Sequence, residues 1–362
     1  MLINAATESD VAFATPLPLP PETENRIKKL AAHCQKYKGA IVSRSVTQLA
    51  VTSTLFFIAC GVMFFNVMHG YGLWNLLLLV PASGLLVRLF IIQHDCGHGS
   101  YFKSRRSNDM VGRAISLLTF MPYAFWMKCH NIHHSSSGNL HKRGVGAIDT
   151  LTIREYRALS PKERFKYRLY RNPFILLVLG TPIHALILQR YPSCYPSNYI
   201  ENYRDLAPAE FWKSTLGLDA AIIAFYGTLM ALVGVKAVLL VYLPLLILTC
   251  WIGGWLFFIQ HQFEDAYWEG HDKWDYQEAA VLGSSYYVLP KPIQWFTGNI
   301  GLHHIHHLCS LIPNYRLQEC LDANEDLRGL NRMTFMESLK CLNWRLWDED
   351  KKKMVGFAAA GV

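Results

Sequence analysis

The 22 residues TQLAVTSTLFFIACGVMFFNVM (47–68) carry no charged side chain. At about 1.5 Å per helical residue they reach across a hydrocarbon core about 30 Å thick, so the stretch reads as a membrane span. After His69-Gly70-Tyr71, residues 72–92 are apolar again, broken only by Pro81 and by Arg88, whose place near the end should let it snorkel to the interface. Together the two runs predict a tight helical hairpin. The plan repeats downstream with Ser214 to Val233, a turn at Gly234-Val235-Lys236, and the 24 uncharged residues 237–260. The expected fold is therefore an all-α integral membrane protein with four transmembrane helices in two hairpins. Composition agrees: the 362 residues are 51% apolar and 17% charged, against about 25% charged in an ordinary soluble domain.

Basic residues set the expected orientation. Between the hairpins, residues 101–171 hold 14 Lys/Arg against four Asp/Glu, whereas the hairpin turns hold a single lysine. By the positive-inside rule the middle segment faces the cytoplasm, and an even number of spans on either side brings both termini there too. The net charge of +8 is then a set of anchors facing anionic lipid, and a nucleic-acid partner is not expected. The N-terminal region mixes PLPLPP (16–21) with Lys and Arg before any apolar run, which is not the layout of a cleavable signal peptide; the first span would serve as its own insertion signal. The nine cysteines are scattered, with no CxxC, and read as reduced thiols. Residues 173–189 are uncharged but short and interrupted by Gly180, Pro182 and His184. They read as interfacial or re-entrant.

Nine of the 15 histidines form three compact clusters: His94-Asp-Cys-Gly-His98, His130-Asn-Ile-His133-His134, and His303-His304-Ile-His306-His307. On a helix, positions i, i+3 and i+4 share a face, so each HxxHH aims three imidazoles in one direction. His304 falls off that face and is expected to lie behind the ligands or toward a head group. Packing so many imidazoles together without a cation would leave donors and acceptors competing in a poorly hydrated place. A metal ligates neutral imidazole and satisfies its nitrogen. Eight or nine ligands exceed the four of one structural zinc, which indicates two metals, and imidazole alone suits iron, zinc, copper or nickel. The isolated His33, His69, His141, His184 and His271 read as satisfied core residues instead.

His94 follows directly on the second span and His261 directly on the fourth, so the clusters should meet on one side of the membrane, just above the lipid. Span centres are free of histidine, unlike a metal transporter with mid-membrane ligands.

The three clusters resemble the histidine boxes of the membrane fatty acid desaturases. The flanking strings HDCGHGSYFKSRRSND (94–109), SSGNLHKRGVGAIDTLTIREY (136–156), HQFEDAYW (261–268) and GNIGLHHIHHLCSLIPNY (298–315) look like the acyl-lipid omega-6 (delta-12) and omega-3 branch. The resemblance covers roughly residues 45–345. It implies an N-terminal cytoplasmic arm (1–44), a membrane desaturase domain (45–345) whose cytoplasmic helical cap holds a di-iron site, and a C-terminal cytoplasmic tail (346–362). One iron would take His94, His98, His130, His134 and His306. The second would take His133, His303 and His307, with His261 as the ninth ligand. Acyl-CoA desaturases carry an Asn one turn before that ninth histidine, holding a water on the metal, but the matching residue here is Phe257. Either another group such as Glu264 or Asp265 holds the water, or the second iron is more open.

The implied reaction inserts a cis double bond into an acyl chain, consuming O₂ and two electrons, with the box histidines as the catalytic metal ligands. Asp95, Glu264 and Asp265 are expected to orient the imidazoles, and Tyr123, Trp126, Trp295 and Thr297 to line the acyl tunnel. The chain contains no HPGG-type haem motif, CxxCH or GxGxxG, so electrons should come from a separate donor, ferredoxin or cytochrome b5, drawn to the basic segment 101–171. Rivals on the same scaffold are a fatty acid hydroxylase, a conjugase or a carotenoid oxygenase. A rival of another class is a membrane metal carrier.

Overall fold

A computed structural model describes residues 21–191 and 208–362. The first 20 residues and Cys194 lie outside the described residues. The chain is mostly helical. In order it forms α1 (Pro21–Cys34), α2 (Val42–Met68), α3 (Asn75–His98), α4 (Arg105–Thr119), α5 (Tyr123–Ser136), α6 (Ile153–Ala158), α7 (Pro161–Tyr170), α8 (Thr181–Leu186), α9 (Pro208–Val233), α10 (Val235–His261), α11 (Tyr276–Leu282), α12 (Lys291–Phe296), α13 (His303–Leu308) and α14 (Asn314–Asp322), with shorter turns beyond. The expectation of helix alone needs a small amendment. Tyr286–Tyr287 pairs in parallel with Arg332–Met333, and Leu346–Asp348 pairs antiparallel with Lys353–Val355.

Four helices, α2, α3, α9 and α10, are long and apolar enough to cross a membrane. Helices α2 and α3 run antiparallel, because Asn66 bonds to Asn75 at one end while Ser45 donates to the Tyr101 carbonyl at the other. Gly70, with φ of +83°, makes the turn that L side chains resist. Helix α3 is the hub. Its apolar stretch is 61% buried, against 22% for α2, 33% for α10 and 6% for α9, because α2, α4, α10 and α12 all pack on it. Small residues at Ala82, Ser83 and Gly84 allow this approach, and a Cβ on Gly84 would come within 2.8 Å of the Phe296 ring. Deep apolar side chains of α2, α3 and α10, such as Phe56, Leu86, Leu89 and Val241, form the main core between them.

Arg88 does not snorkel. It is buried between α2 and α12, where Nε donates to Thr52 Oγ1 at 3.3 Å and Nη1 donates to the Trp295 carbonyl. Residues 174–190 follow α7 at a 57° bend, starting as a π-helical turn (Phe174–Gly180). They lie along α10, with the Trp251 indole N–H donating to the Val178 carbonyl and Thr181 packed on Gly254. At the other end of the chain, residues 346–362 fold back onto α6 and α7, as Arg157 donates to the Ala360 carbonyl and Arg168 to that of Val362.

The shorter helices α5 and α11–α13 gather at the ends of α3 and α10. Helix α5 is anchored through Tyr123, whose ring lies against Gly112 of α4 and whose hydroxyl donates to Asp109 at 3.1 Å. A Cβ on Gly112 would stand 2.3 Å from that ring. Gly112→Ala should therefore destabilise the protein by about 1–3 kcal/mol through overpacking, read as a lowered midpoint in thermal unfolding of the detergent-solubilised protein.

Candidate metal centre

Four elements bring nine histidines to one place. The last two turns of α3 supply His94 and His98, α5 supplies His130, His133 and His134, the final residue of α10 is His261, and α13 supplies His303, His306 and His307. The sequence makes these ends abrupt. Gly99 caps α3 in the left-handed conformation (φ 72°). Between α12 and α13 the chain reverses through Gly298 and Asn299, both at positive φ, where a Cβ on Gly298 would meet the Ile91 side chain at 2.8 Å.

The imidazoles separate into two groups. His94, His98, His130, His134 and His306 form one, and His133, His261, His303 and His307 form the other, with the candidate ligand nitrogens within 4.8 Å of one another inside each group. In the first, Nε2 of His134 lies 3.1 Å from Nε2 of His130 and 3.0 Å from that of His306. In the second, Nε2 of His261 lies 3.1 Å from Nε2 of His133 and 3.0 Å from that of His303. The groups touch where the His134 and His307 rings stack at 4.1 Å.

This donor set fits metal ions. No carboxylate enters either group, the Nε2 atoms of His98 and His307 are buried without a hydrogen-bond partner, and facing Nε2 pairs cannot both carry a proton. Two rings have their outer nitrogen secured. His94 Nδ1–H donates to Asp95 Oδ1 at 3.0 Å, and His261 Nδ1–H donates to the Gly283 carbonyl at 3.1 Å, so each turns Nε2 inward. Asp95 is itself held, since Oδ2 accepts from the backbone N–H of Asn314 at 2.7 Å and from its side chain at 2.8 Å. Burial first, and neighbouring imidazoles second, push the pKa values of His130, His133, His134, His303, His306 and His307 well below 6.5. The rings are therefore neutral, the form that ligates metal.

A family model described as fatty acid desaturase matches residues 69–338. The chain belongs to the fatty acid desaturase family. This desaturase-family enzyme, an oxidoreductase, is 40% identical over 332 residues to a fatty acid desaturase of Bacillus subtilis, covering 92% of this chain and 91% of the relative. It is 28% identical over 252 residues to an sn-1 acyl-lipid omega-3 desaturase (ferredoxin) of Synechocystis (67% and 64% covered). To the delta-12 fatty acid desaturase of Vernicia fordii it is 25% identical over 381 residues (96% and 94% covered). More distant relatives carry delta-12, omega-3 and hydroxylase names.

Around the desaturase's histidines, several expected neighbours stand elsewhere. Helix α10 stops at His261 and the following segment is tied to the C-terminal strand by Met354 N–H donating to the Glu264 carbonyl. That carries the Glu264 carboxylate to Lys353 at 3.3 Å and leaves Asp265 exposed, so neither bonds to a cluster histidine. Trp126 does lie at the centre, stacked 4.7 Å from the His130 ring. Tyr123 is instead the α4–α5 anchor, Trp295 stacks under Arg88 at 4.2 Å, and Thr297 bonds to the Ile293 carbonyl at the end of α12. Phe257 walls the second group, 5.4 Å from the His133 ring and 5.5 Å from that of His261. His304 turns away and donates from Nε2 to the Leu327 carbonyl at 3.0 Å, and burial lowers its pKa to about 4. Of the isolated histidines, His69, His141 and His271 are exposed rather than core. Asn314, the partner of Asp95 in space, was not legible, although it lies in the quoted SLIPNY stretch.

Two outcomes follow from this geometry. Histidines held neutral bind fewer protons folded than unfolded, so the stability they contribute is present above the free imidazole value of 6.5 and is lost as pH falls below it, through about 4 for His304. Thermal unfolding and metal release, followed from pH 7.5 to 5, should both worsen on acidification. Second, His303→Ala, His306→Ala and His307→Ala should each lower bound metal, whereas His304→Ala should keep it while losing about 1–3 kcal/mol for the stranded Leu327 carbonyl; metal analysis beside thermal unfolding checks both.

Proposed function

We propose that this enzyme is an acyl-lipid desaturase of the delta-12 (omega-6) type, which inserts a cis double bond into an acyl chain of a membrane glycerolipid toward its methyl end. The carrying observation is the pair of adjoining, buried, all-imidazole groups at the end of two apolar spans. Overall, two hydrogens leave adjacent methylene carbons and O₂ takes them up with two further protons and two electrons to leave two waters. The five and four histidines respectively would hold iron in both groups, which would supply the oxidising power that unactivated C–H bonds require.

The protein's part is position and exclusion. Asp95 and Gly283 fix the rotation of His94 and His261, so those nitrogens need no reorganisation on metal binding. Trp126 and Phe257 cover the imidazoles with apolar surface, which keeps water from the reacting methylenes and offers an alkyl chain a compatible wall. The four spans form two hairpins with the histidines, the basic segment 101–171 and both termini in the cytoplasm, a reading supported by the charge asymmetry. A soluble acidic donor, ferredoxin ahead of cytochrome b5, would then meet the basic face, and the ferredoxin-named Synechocystis relative supports that choice.

The decisive experiment is expression in a host whose lipids contain only saturated and monounsaturated chains, followed by chromatography and location of double bonds. Diunsaturated chains with the new bond toward the methyl end are expected. Hydroxylated chains would move the enzyme to the hydroxylase reading, and a first double bond in saturated chains would remove the delta-12 assignment.

A further inference from the structure

A cavity of about 400 Å³ opens between the first turns of α2 and the half of α3 that leads to its histidines, with Arg44, Thr47, Gln48, Thr52, Arg88 and Trp295 in its lining. Arg88 is its unusual member. It sits within a candidate span and is only 8% exposed, yet no carboxylate pairs with it among the described residues and the lining contains no Asp or Glu. The other cation, Arg44, already pairs with Glu319. Arg88 spends Nε on Thr52 and Nη1 on the Trp295 carbonyl, and its guanidinium lies 4.2 Å from the Trp295 ring. Nη2 makes no hydrogen bond among the described residues. A buried guanidinium without a counter-charge is costly, and in a membrane span it marks a binding site by default.

We propose that this cavity seats the phosphodiester of a glycerophospholipid, the head of the lipid whose acyl chain is to reach the histidines; the inference rests on the acyl-lipid reading above. Three observations favour that occupant. A guanidinium fork suits phosphate oxygens, and hydroxyl and amide donors of Thr47 and Gln48 stand beside it. Thr47 and Val51 are exposed on α2, so the cavity opens sideways where lipid would lie, rather than toward the aqueous end alone. Finally, the cavity is wired to the first histidine group. Gln48 donates to Asn314 Oδ1 at 2.8 Å, Asn314 donates to Asp95, and Asp95 accepts from His94. Arg88 and His94 are six residues apart on one helix, about 9 Å along its axis. A head group anchored at Arg88 would thus be held in the same rigid frame as the metal ligands.

The test is native mass spectrometry of the purified, metal-loaded full chain with dioleoylphosphatidylglycerol, dioleoylglycerol and monogalactosyl dioleoylglycerol, with inorganic phosphate as competitor. Preferential retention of the phospholipid is expected. Arg88→Gln should weaken it about tenfold or more, the loss of a charge-assisted contact, whereas Arg88→Lys should keep most of it. Thr47→Trp plugs the mouth from an exposed position and should weaken binding with metal content unchanged, which guards against misfolding of the Arg88 variants. Equal retention of the neutral lipids, or binding untouched by both Arg88→Gln and Thr47→Trp, overturns the proposal. Displacement of the lipid by millimolar inorganic phosphate would make this a free-phosphate site and also overturn it. Desaturated product without phospholipid preference removes this inference alone; phospholipid preference without desaturated product removes the acyl-lipid reading alone.

Discussion

Nine imidazoles withdrawn from water crowd inward nitrogen lone pairs that shared cations would satisfy, and the rest of the structure is arranged around that crowding. Burial keeps the rings neutral, neutral rings offer nitrogen to metal, and a bound metal would in turn offset the cost of crowding so many polar atoms into an apolar setting. No single element could present all nine. Helices α3, α5, α10 and α13 must therefore meet, and Gly99, which ends α3, and Gly298, which turns the chain from α12 toward α13, provide the sharp reversals that let them.

Helix α3 carries most of this load. Its lower half is a packing spine that accepts α2, α4, α10 and α12 against small side chains, and its upper two turns carry two ligands and Asp95. The polar residues of the neighbouring span are explained by the same helix. Gln48 and Thr52 would be misplaced in a lipid-facing run, but Gln48 reaches Asn314 and so Asp95, while Thr52 receives Arg88. The membrane-spanning part and the metal-holding part are thus joined by hydrogen bonds as well as by connectivity. This is why the 219 residues separating Asp95 from Asn314 collapse to 2.7 Å.

The spans, the box histidines and the helical form of both HxxHH segments were legible because each depends on local pattern alone: an apolar length, or a spacing of three and four on a helix. His304 could be set aside for the same reason. What failed were assignments that needed to know where a side chain goes after its helix ends. Glu264 and Asp265 follow His261 closely in sequence, yet a strand formed some ninety residues later draws that segment away. Arg88 looked free to reach the interface, whereas Thr52 and Trp295 from two other elements enclose it.

Sequence alone therefore carried the family's histidine pattern, the four apolar segments and the charge asymmetry between their connections, since these are properties of short stretches or of composition. The family resemblance also implied a division of nine histidines into five and four with His261 in the second, and tertiary structure shows the contacts behind it, the candidate ligand nitrogens of each group lying within 4.8 Å of one another. Tertiary structure decided that Asn314 supports Asp95, that Phe257 walls the second group, and that Arg88 faces a cavity without a counter-charge. The physical reason is the same throughout: local spacing sets the direction of a side chain from its own helix, but its partner comes from another element, and only packing brings the two within bonding distance.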